Sequence, residues 1–382
     1  MKAGLFLVST FAASALSAQE PTPARIQLPS GLTALLWEEH DAAIIRMEGL
    51  LPIRPEEVPA HLPGLPALLV ATLEGSPKGN RSAAEFQALL DRSGIQMGLT
   101  LDPHGLRITL AFRSRDQELA FGLLGDLLGR APLDPESFET QRQRLYHRPH
   151  PEAVVSAFLH QASGSLQLPP PESTLAKVAI KDLETLLQRV RRPGRLRLCI
   201  QGDLSPSQAT QRLLLDLGAW NPAEVEAPLE AHPAPADVKS ERSGPGELWM
   251  AFPPLPPEDA ASALLEVLLA SRLEGHGEPG DPWRLQVQGD TPQAALTALQ
   301  AGLASLSFTD AEVVAAKAFW RGRQTLLPLN PAQALRARLR GLPARAAVER
   351  LTRPEVEAAL KGLLSRGQRL WRGEAAWLKD VP

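Results

Sequence analysis

Hydrophobic residues downstream of residue 21 follow two patterns that alternate along the chain. In GLRITLAF, residues 105–112, apolar side chains fall on every second position, which predicts a strand with one buried face. Residues 116–129 and 291–306 instead carry apolar side chains every three or four positions, which predicts amphipathic helices. Further strands are predicted in IQLPSGLTALLWEEH, AIIRMEGLLP, RLRLCIQG, ELWMAF and RLQVQG.

Several helix ends are marked by capping sequences. In a capping box, a Ser or Thr just before the helix and a Glu three residues later satisfy each other's backbone N–H groups. Ser82 with Glu85 and Thr309 with Glu312 fit this pattern, and Gly94 fits a helix C-cap. Further helix starts are predicted at Asp134-Pro135, Ser205-Pro206 and Thr352-Arg-Pro-Glu355.

Length and composition narrow the function classes. The chain has 382 residues, enough for two domains at roughly 150 to 200 residues each. A formal net charge of −3 gives no reason to expect a nucleic-acid partner. The chain contains 1 Cys, Cys199, which sits in a strand-like segment and is expected to be a buried thiol.

The N-terminus has the pattern of an export signal. One Lys precedes an apolar run that ends in small residues, as in a cleaved signal peptide over 1–18. The run is too short for a comfortable transmembrane span, so no membrane association is expected after cleavage. A protein exported without disulfides fits a bacterial periplasm or a secreted location.

The segment Gly64–Ser76, GLPALLVATLEGS, carries the most informative resemblance. It resembles the metal-binding helix of the insulinase and mitochondrial processing peptidase family, pitrilysin-type inverzincins whose active members carry H-x-x-E-H in a frame like G-L-[AS]-H-x-x-E-H-x-x-F-x-G-T. On that frame the first His falls on Ala67, the Glu on Val70 and the second His on Ala71. These side chains have no lone pair to bind zinc, and Val70 cannot act as a general base. No metal and no cofactor are therefore expected.

Two further positions of the family pattern are also altered. The downstream Glu ligand of the family aligns with residues 146–148, where His147 alone makes no metal site. The Arg and Tyr that hold the substrate carbonyl in active systems align with His276 and Trp283. The Arg of the family's S-R-L pattern aligns with Arg272, for which a structural role is expected.

Other candidate sites are weaker. His147 and His150 have an H-x-x-H spacing, but the prolines beside them break any helix that would bring the two rings together. His104 and His40 are expected in exposed turns. The chain shows no G-x-S-x-G nucleophile elbow in a strand–turn–helix context and no Gly-rich phosphate loop.

The resemblance covers nearly the whole chain after the signal and implies a fold. It implies an α+β protein of two similar domains, each an antiparallel sheet with helices packed on one face, together forming half of a clamshell. The expected bounds are 22–220 for an N-terminal domain with the degenerate motif, 221–246 for a linker rich in Pro, Ala and Glu, and 247–382 for a shortened C-terminal domain.

The resemblance also implies a function. The expected role is a catalytically inactive peptidase homologue in the periplasm that partners a zinc-bearing insulinase-like subunit, closes its chamber and helps to bind unfolded peptides. The alternative is a stand-alone periplasmic binding or scaffold protein without a peptidase partner.

Overall fold

The structure is a computed structural model. It describes residues 23–41, 43–59, 61–102, 104–146, 155, 158–159, 166, 175–218, 237–253, 255–256, 258–270, 272 and 283–381. The predicted signal peptide, His147, His150 and His276 lie outside the described residues, as does most of the predicted linker.

The N-terminal part of the chain builds a sheet of six strands in the order β1-β2-β6-β3-β5-β4. Neighbouring strands are antiparallel except β2 and β6, which are parallel. The strands are β1 (Ala24–Gln27), β2 (Thr33–Glu38), β3 (Ile44–Pro52), β4 (Gln96–Asp102), β5 (Gly105–Arg113) and β6 (Arg197–Gly202).

The C-terminal part builds a smaller sheet of four strands in the order β7-β10-β8-β9. Here β7 is parallel to β10, and the other two pairs are antiparallel. This sequence of pairings repeats the central run β2-β6-β3-β5 of the first sheet. The strands are β7 (Asp237–Glu241), β8 (Glu247–Phe252), β9 (Trp283–Gln288) and β10 (Gln368–Gly373).

Helices form a layer on each sheet, and their caps follow the local sequence. Ser82, Ser205 and Thr309 all accept a backbone N–H at the start of a helix, and Gly94 ends one in the left-handed conformation at φ 67°. The α-helices are α1 (Leu65–Gly75), α2 (Ala83–Ser93), α3 (Gln117–Gly125), α4 (Pro135–Tyr146), α5 (Ile180–Val190), α6 (Pro206–Leu217), α7 (Ala260–Leu269), α8 (Pro292–Ala304), α9 (Asp310–Leu326), α10 (Pro331–Arg340), α11 (Arg345–Arg350), α12 (Arg353–Leu364) and α13 (Ala375–Lys379). None of these described helices is both long and apolar enough to cross a membrane.

One segment of the predicted linker is a strand. Asp237–Glu241 forms β7 and pairs in parallel with β10, although the linker was expected to run through residue 246. β7 is the terminal strand of its sheet, and an edge strand of this kind carries polar side chains that resemble a linker in composition.

Each sheet is also covered on its second face, so the expectation of helices on one face needs extending. Helix α10, from the C-terminal half, packs Leu335 and Leu339 against Trp37, Leu50 and Cys199 of the first sheet. In the same way, the second sheet is covered by residues of the N-terminal half. Val155, Phe158 and Leu159 pack against Trp249, Ala251 and Leu370. Among the described residues, each half thus contributes side chains that pack on the sheet of the other half.

The α10 contact also buries ionic groups. Nε of Arg336 lies 3.3 Å from Oε1 of Glu48, and Nη2 of Arg340 lies 2.8 Å from Oδ2 of Asp102. Glu48 and Asp102 are each 3 % exposed. Arg338 stacks 4.5 Å from the centre of the Trp37 ring. Since a buried carboxylate without its partner is costly, these pairs favour one position of α10 on the sheet.

We expect Leu335→Ala to lower the free energy of unfolding by about 2–5 kcal/mol, because it removes a fully buried side chain from the contact between the halves. Leu215→Ala is the matched control, since Leu215 is 64 % exposed on α6. Urea denaturation of both variants measures the effect. Equal, small changes in the two variants would contradict the structural role of α10.

Stability should also depend on the ionisation of Glu48. Burial raises the pKa of Glu48, against the opposing effect of Arg336. An acid whose pKa is higher in the folded state holds its proton more tightly there, so its ionisation favours unfolding as pH rises from the unfolded pKa through the folded one. We therefore expect Glu48→Gln to gain stability relative to the parent as the pH rises above about 4, the ordinary pKa of a glutamate.

Urea denaturation at several pH values tests this dependence. Glu118→Gln is the control, because the Glu118 side chain is 82 % exposed. A stability difference between Glu48→Gln and the parent that stays constant across the range would contradict the assignment.

Candidate functional site

Helix α1 holds the three positions that align with zinc-motif residues. Ala67 and Ala71 lie one turn apart and are partly exposed, while Val70 is 7 % exposed. The opposite side of the helix carries Leu65, Leu68 and other apolar residues in the core of the N-terminal half. The buried leucines therefore fix the helix in the core. The three positions that align with the zinc motif, Ala67, Val70 and Ala71, carry only methyl and isopropyl groups.

Helix α4 packs closely on the end of α1. The Ser137 hydroxyl donates to the Thr72 carbonyl at 3.1 Å, and the Ser76 hydroxyl donates to the same carbonyl at 2.7 Å. A Cβ added at Gly75 would lie 2.3 Å from the Ser137 hydroxyl oxygen, so this contact requires glycine. The structure thus brings together α1 and the helix that leads to residues 146–148, where the third ligand is expected.

The residues at this site do not fit a zinc ion. Ala67, Val70 and Ala71 have no donor atoms, and zinc requires at least three protein ligands with a lone pair. Elsewhere in the described ranges, no group of three or more His, Cys, Asp or Glu side chains is placed to hold a metal ion.

The buried ammonium group of Lys78 stabilises the C-terminal end of α1. Nζ of Lys78 donates to the carbonyls of Glu74 and Ser76, both at 2.9 Å, and lies 5.1 Å from the centre of the Phe86 ring. Burial lowers the pKa of Lys78. A cation on the last carbonyls complements the helix dipole, so this lysine has a structural task.

The region that aligns with the family's substrate-holding Arg and Tyr is described at Trp283 and Arg272, and both residues have a structural role. Trp283 begins β9 opposite Phe252, is 2 % exposed and belongs to the core of the C-terminal half. Arg272 donates to the Ser307 carbonyl and the Glu312 carboxylate and stacks 5.0 Å from the Phe308 ring centre. Both side chains therefore contact other residues of the C-terminal half.

The remaining candidate residues are placed apart from one another. His40 is exposed at the end of β2, where Nδ1 lies 2.8 Å from Asp203 and Nε2 lies 3.1 Å from Glu38. The bond to Asp203 is the largest influence raising its pKa. His104 differs from the expected exposed turn, because it is partly buried and burial lowers its pKa. Burial raises the pKa of the Cys199 thiol to about 12, so it is unreactive at neutral pH.

The sequence patterns did not predict one feature of this site, the strand β4. It is the terminal strand of the first sheet, and it lies beside α1. Among the described strands its outer edge has no partner, so its backbone N–H and C=O groups lie beside the helix that carries Ala67 and Ala71. Its sequence, QMGLTLD, has apolar residues at Met97, Leu99 and Leu101, and this alternation was the available signal.

Comparisons with solved structures identify the fold. The chain superposes on a protease from Helicobacter pylori with a TM-score of 0.71 and 13 % identity, over 92 % of this chain and 99 % of that one. A peptidase M16 inactive domain from Pseudomonas fluorescens gives a TM-score of 0.69 and 15 % identity, over 92 % and 98 %. The periplasmic protease PqqL from Escherichia coli gives 0.69 and 12 % identity, over 92 % of this chain and 45 % of PqqL.

These similarities show that the chain has the fold of M16 peptidase-like proteins, the insulinase-like half-clamshell. No family model matches the sequence, and no curated protein matches it. At this level of identity the likeness concerns the fold, and the function has to be argued from the site.

Ligands introduced at the aligned positions of α1 should create a metal site. His residues at positions 67 and 71 would stand at i and i+4 on the partly exposed side of α1, a spacing that lets two imidazoles share one ion. We expect Ala67→His combined with Ala71→His to bind zinc in calorimetry, more weakly than a site with three protein ligands, and Ala67→His alone to bind more weakly still. Equal binding by the single and double variants, both folded by circular dichroism, would argue against the alignment.

Proposed function

We propose that this protein is a non-catalytic, insulinase-like subunit that works in the periplasm beside a zinc-bearing subunit. The observation that carries the proposal is the degenerate motif on α1. The helix is still packed on α4 as part of the half-clamshell fold, but Ala67, Val70 and Ala71 replace ligands and general base.

Two of the similar structures support this role. One is named as an inactive M16 domain, and it is matched over 98 % of its length. PqqL is matched over 45 % of its length, and its first half, solved separately, is matched over 93 %. This chain therefore has the size of one half of a two-part protease, and it would supply a chamber wall to the half that carries zinc.

The edge of β4 supports a contribution to peptide binding. An extended peptide gains affinity by adding a strand to an open sheet edge, which needs backbone groups and no catalytic residue. β4 is terminal among the strands of the described sheet and lies beside α1, so a peptide bound there would pass the degenerate motif without meeting a nucleophile.

A stand-alone binding or scaffold protein is the alternative function. The same sheet edge favours it, because the edge can hold a peptide without a partner subunit. The two functions differ in whether a zinc-bearing subunit associates with this chain.

Affinity capture from periplasmic extract distinguishes them. We expect the immobilised chain to retain a protein with an intact H-x-x-E-H motif, and the eluted pair to cleave an unstructured peptide in a reaction that a zinc chelator abolishes. The chain alone should bind the labelled peptide in fluorescence anisotropy without cleaving it.

Two results would refute the subunit proposal. Stoichiometric zinc and peptide cleavage by the purified chain alone would show an active enzyme. Peptide binding without capture of a zinc-bearing protein would favour the scaffold function.

A further inference from the structure

Helix α9 (Asp310–Leu326) has one face buried and one face open. Its inner face places Val313, Ala316 and Trp320 in the core of the C-terminal half. Its outer face exposes three large apolar side chains, with Val314 at 64 %, Phe319 at 62 % and Leu326 at 62 %. Large apolar groups grouped on an open surface indicate an interaction site.

Alanine and glycine residues separate the three large side chains on the outer face of α9. A Cβ added at Gly322 would meet no atom within 4 Å, so space is open above the middle of the helix. At 3.6 residues per turn, the outer residues share a stripe about 140° wide, which we call the α9 face. The exposed members of the α9 face are Ala311, Val314, Ala315, Ala318, Phe319, Gly322, Thr325 and Leu326.

The α9 face suits a second helix. Small residues along its middle permit close approach, at interaxial distances near ~8 Å, while larger residues on both sides fill the flanks. The helix has 17 residues and is about 25 Å long, so it can support several turns of contact.

The charges beside the face fix the direction of that second helix. Asp310 and Glu312 stand in the first turn, whereas Arg321 and Arg323 stand near the end. Two copies packed antiparallel would place the acidic start of each against the basic end of the other. A parallel pair would set like charges side by side.

One antiparallel register satisfies the charges and the shape together. When Ala315 stands opposite Ala318 of a second copy, Asp310 lies on the same flank as Arg321 of that copy. Glu312 lies on the other flank, beside Arg323. Small residues then meet along the middle of the face, and opposite charges meet on both of its flanks. This agreement of charge and size is the signature of a surface that is complementary to itself.

The existing ion pairs of Asp310 and Arg321 leave these two groups available, whereas Glu312 already accepts a bond from Arg272. Asp310 lies 3.7 Å from Arg353, with its side chain 83 % exposed, and Arg321 lies 3.1 Å from Glu349, with its side chain 44 % exposed. Exposed pairs contribute little by themselves, so a contact between copies can extend them into a network at small cost.

We propose that the α9 face is the interface of a homodimer, in which α9 helices of two copies pack antiparallel about a two-fold axis near Ala316 and Lys317. The inference goes beyond the proposed function, because it concerns pairing with a second copy of this chain. An anionic membrane surface is a poorer fit, since Asp310 and Glu312 would face its negative charge.

Sedimentation equilibrium of the purified full chain tests the dimer. A single helix pair is small beside the ~1,200 Å² of total area typical of stable interfaces, so we expect a dimer that dissociates on dilution. Phe319→Asp should weaken self-association at least tenfold. Leu215→Asp is the matched control, because Leu215 has a similar exposure of 64 % on α6 and should leave the dimer intact.

Cross-linking tests the register. Cys199 is buried with a pKa near 12, so an introduced surface cysteine is the reactive one. A short bismaleimide should join two copies of Ala318→Cys and leave Leu215→Cys as monomers. A folded parent chain that remains monomeric at high concentration would overturn the proposal, as would Phe319→Asp dimers as stable as the parent.

Two further assays separate this proposal from other uses of the face. Phosphatidylglycerol vesicles that bind the parent as a monomer through Phe319 would overturn it in favour of a membrane surface. Capture of a zinc-bearing subunit through Phe319, without self-association, would overturn the homodimer and leave the proposed function standing. Self-association without any such capture would support the dimer and count against the subunit function.

Discussion

The fold depends on helix α10 lying across the open face of the first sheet. Leu335 and Leu339 pack on that face, and Arg336 and Arg340 meet the buried carboxylates of Glu48 and Asp102. Apolar burial supplies the attraction, which any apolar helix could give in many positions. The buried ion pairs determine where α10 lies more than they add to stability, because a shift of α10 would leave a carboxylate unpaired. The two halves are in this way locked into one half-clamshell.

That arrangement explains how the zinc-motif helix keeps its place without a metal. Helix α1 is held on one side by the core of the N-terminal half and at its end by Ser137 of α4, and neither contact involves Ala67 or Ala71. A catalytic metal site is usually an open, polar cavity that costs stability and is selected for activity. Replacing its ligands with Ala and Val removes that cost and leaves the surrounding packing intact. The proposed role as a chamber wall and a peptide-binding edge needs no more than that packing.

Much of the secondary structure could be predicted from local sequence, because its causes are local. Ser82 and Glu85, and Thr309 and Glu312, cap helices through bonds that span three residues, and the alternation in β5 reports a buried face directly. β4 and α10 were missed, although their patterns were readable. The partly exposed edge of β4 weakens its alternation, and the three arginines of α10 suggest a solvated helix rather than an interface.

The sequence by itself determined the helix starts, the main strands, the absence of ligand atoms at residues 67, 70 and 71, and, through its resemblance, the fold class. The tertiary structure decided which charges are buried, that Trp283 is a core residue, that Asp237–Glu241 is a strand and that each half covers the other's sheet. Local and tertiary features divide in this way for one physical reason. Capping and periodicity act over a few residues, whereas the burial of Glu48 depends on an arginine 288 positions away, which only the folded chain brings near.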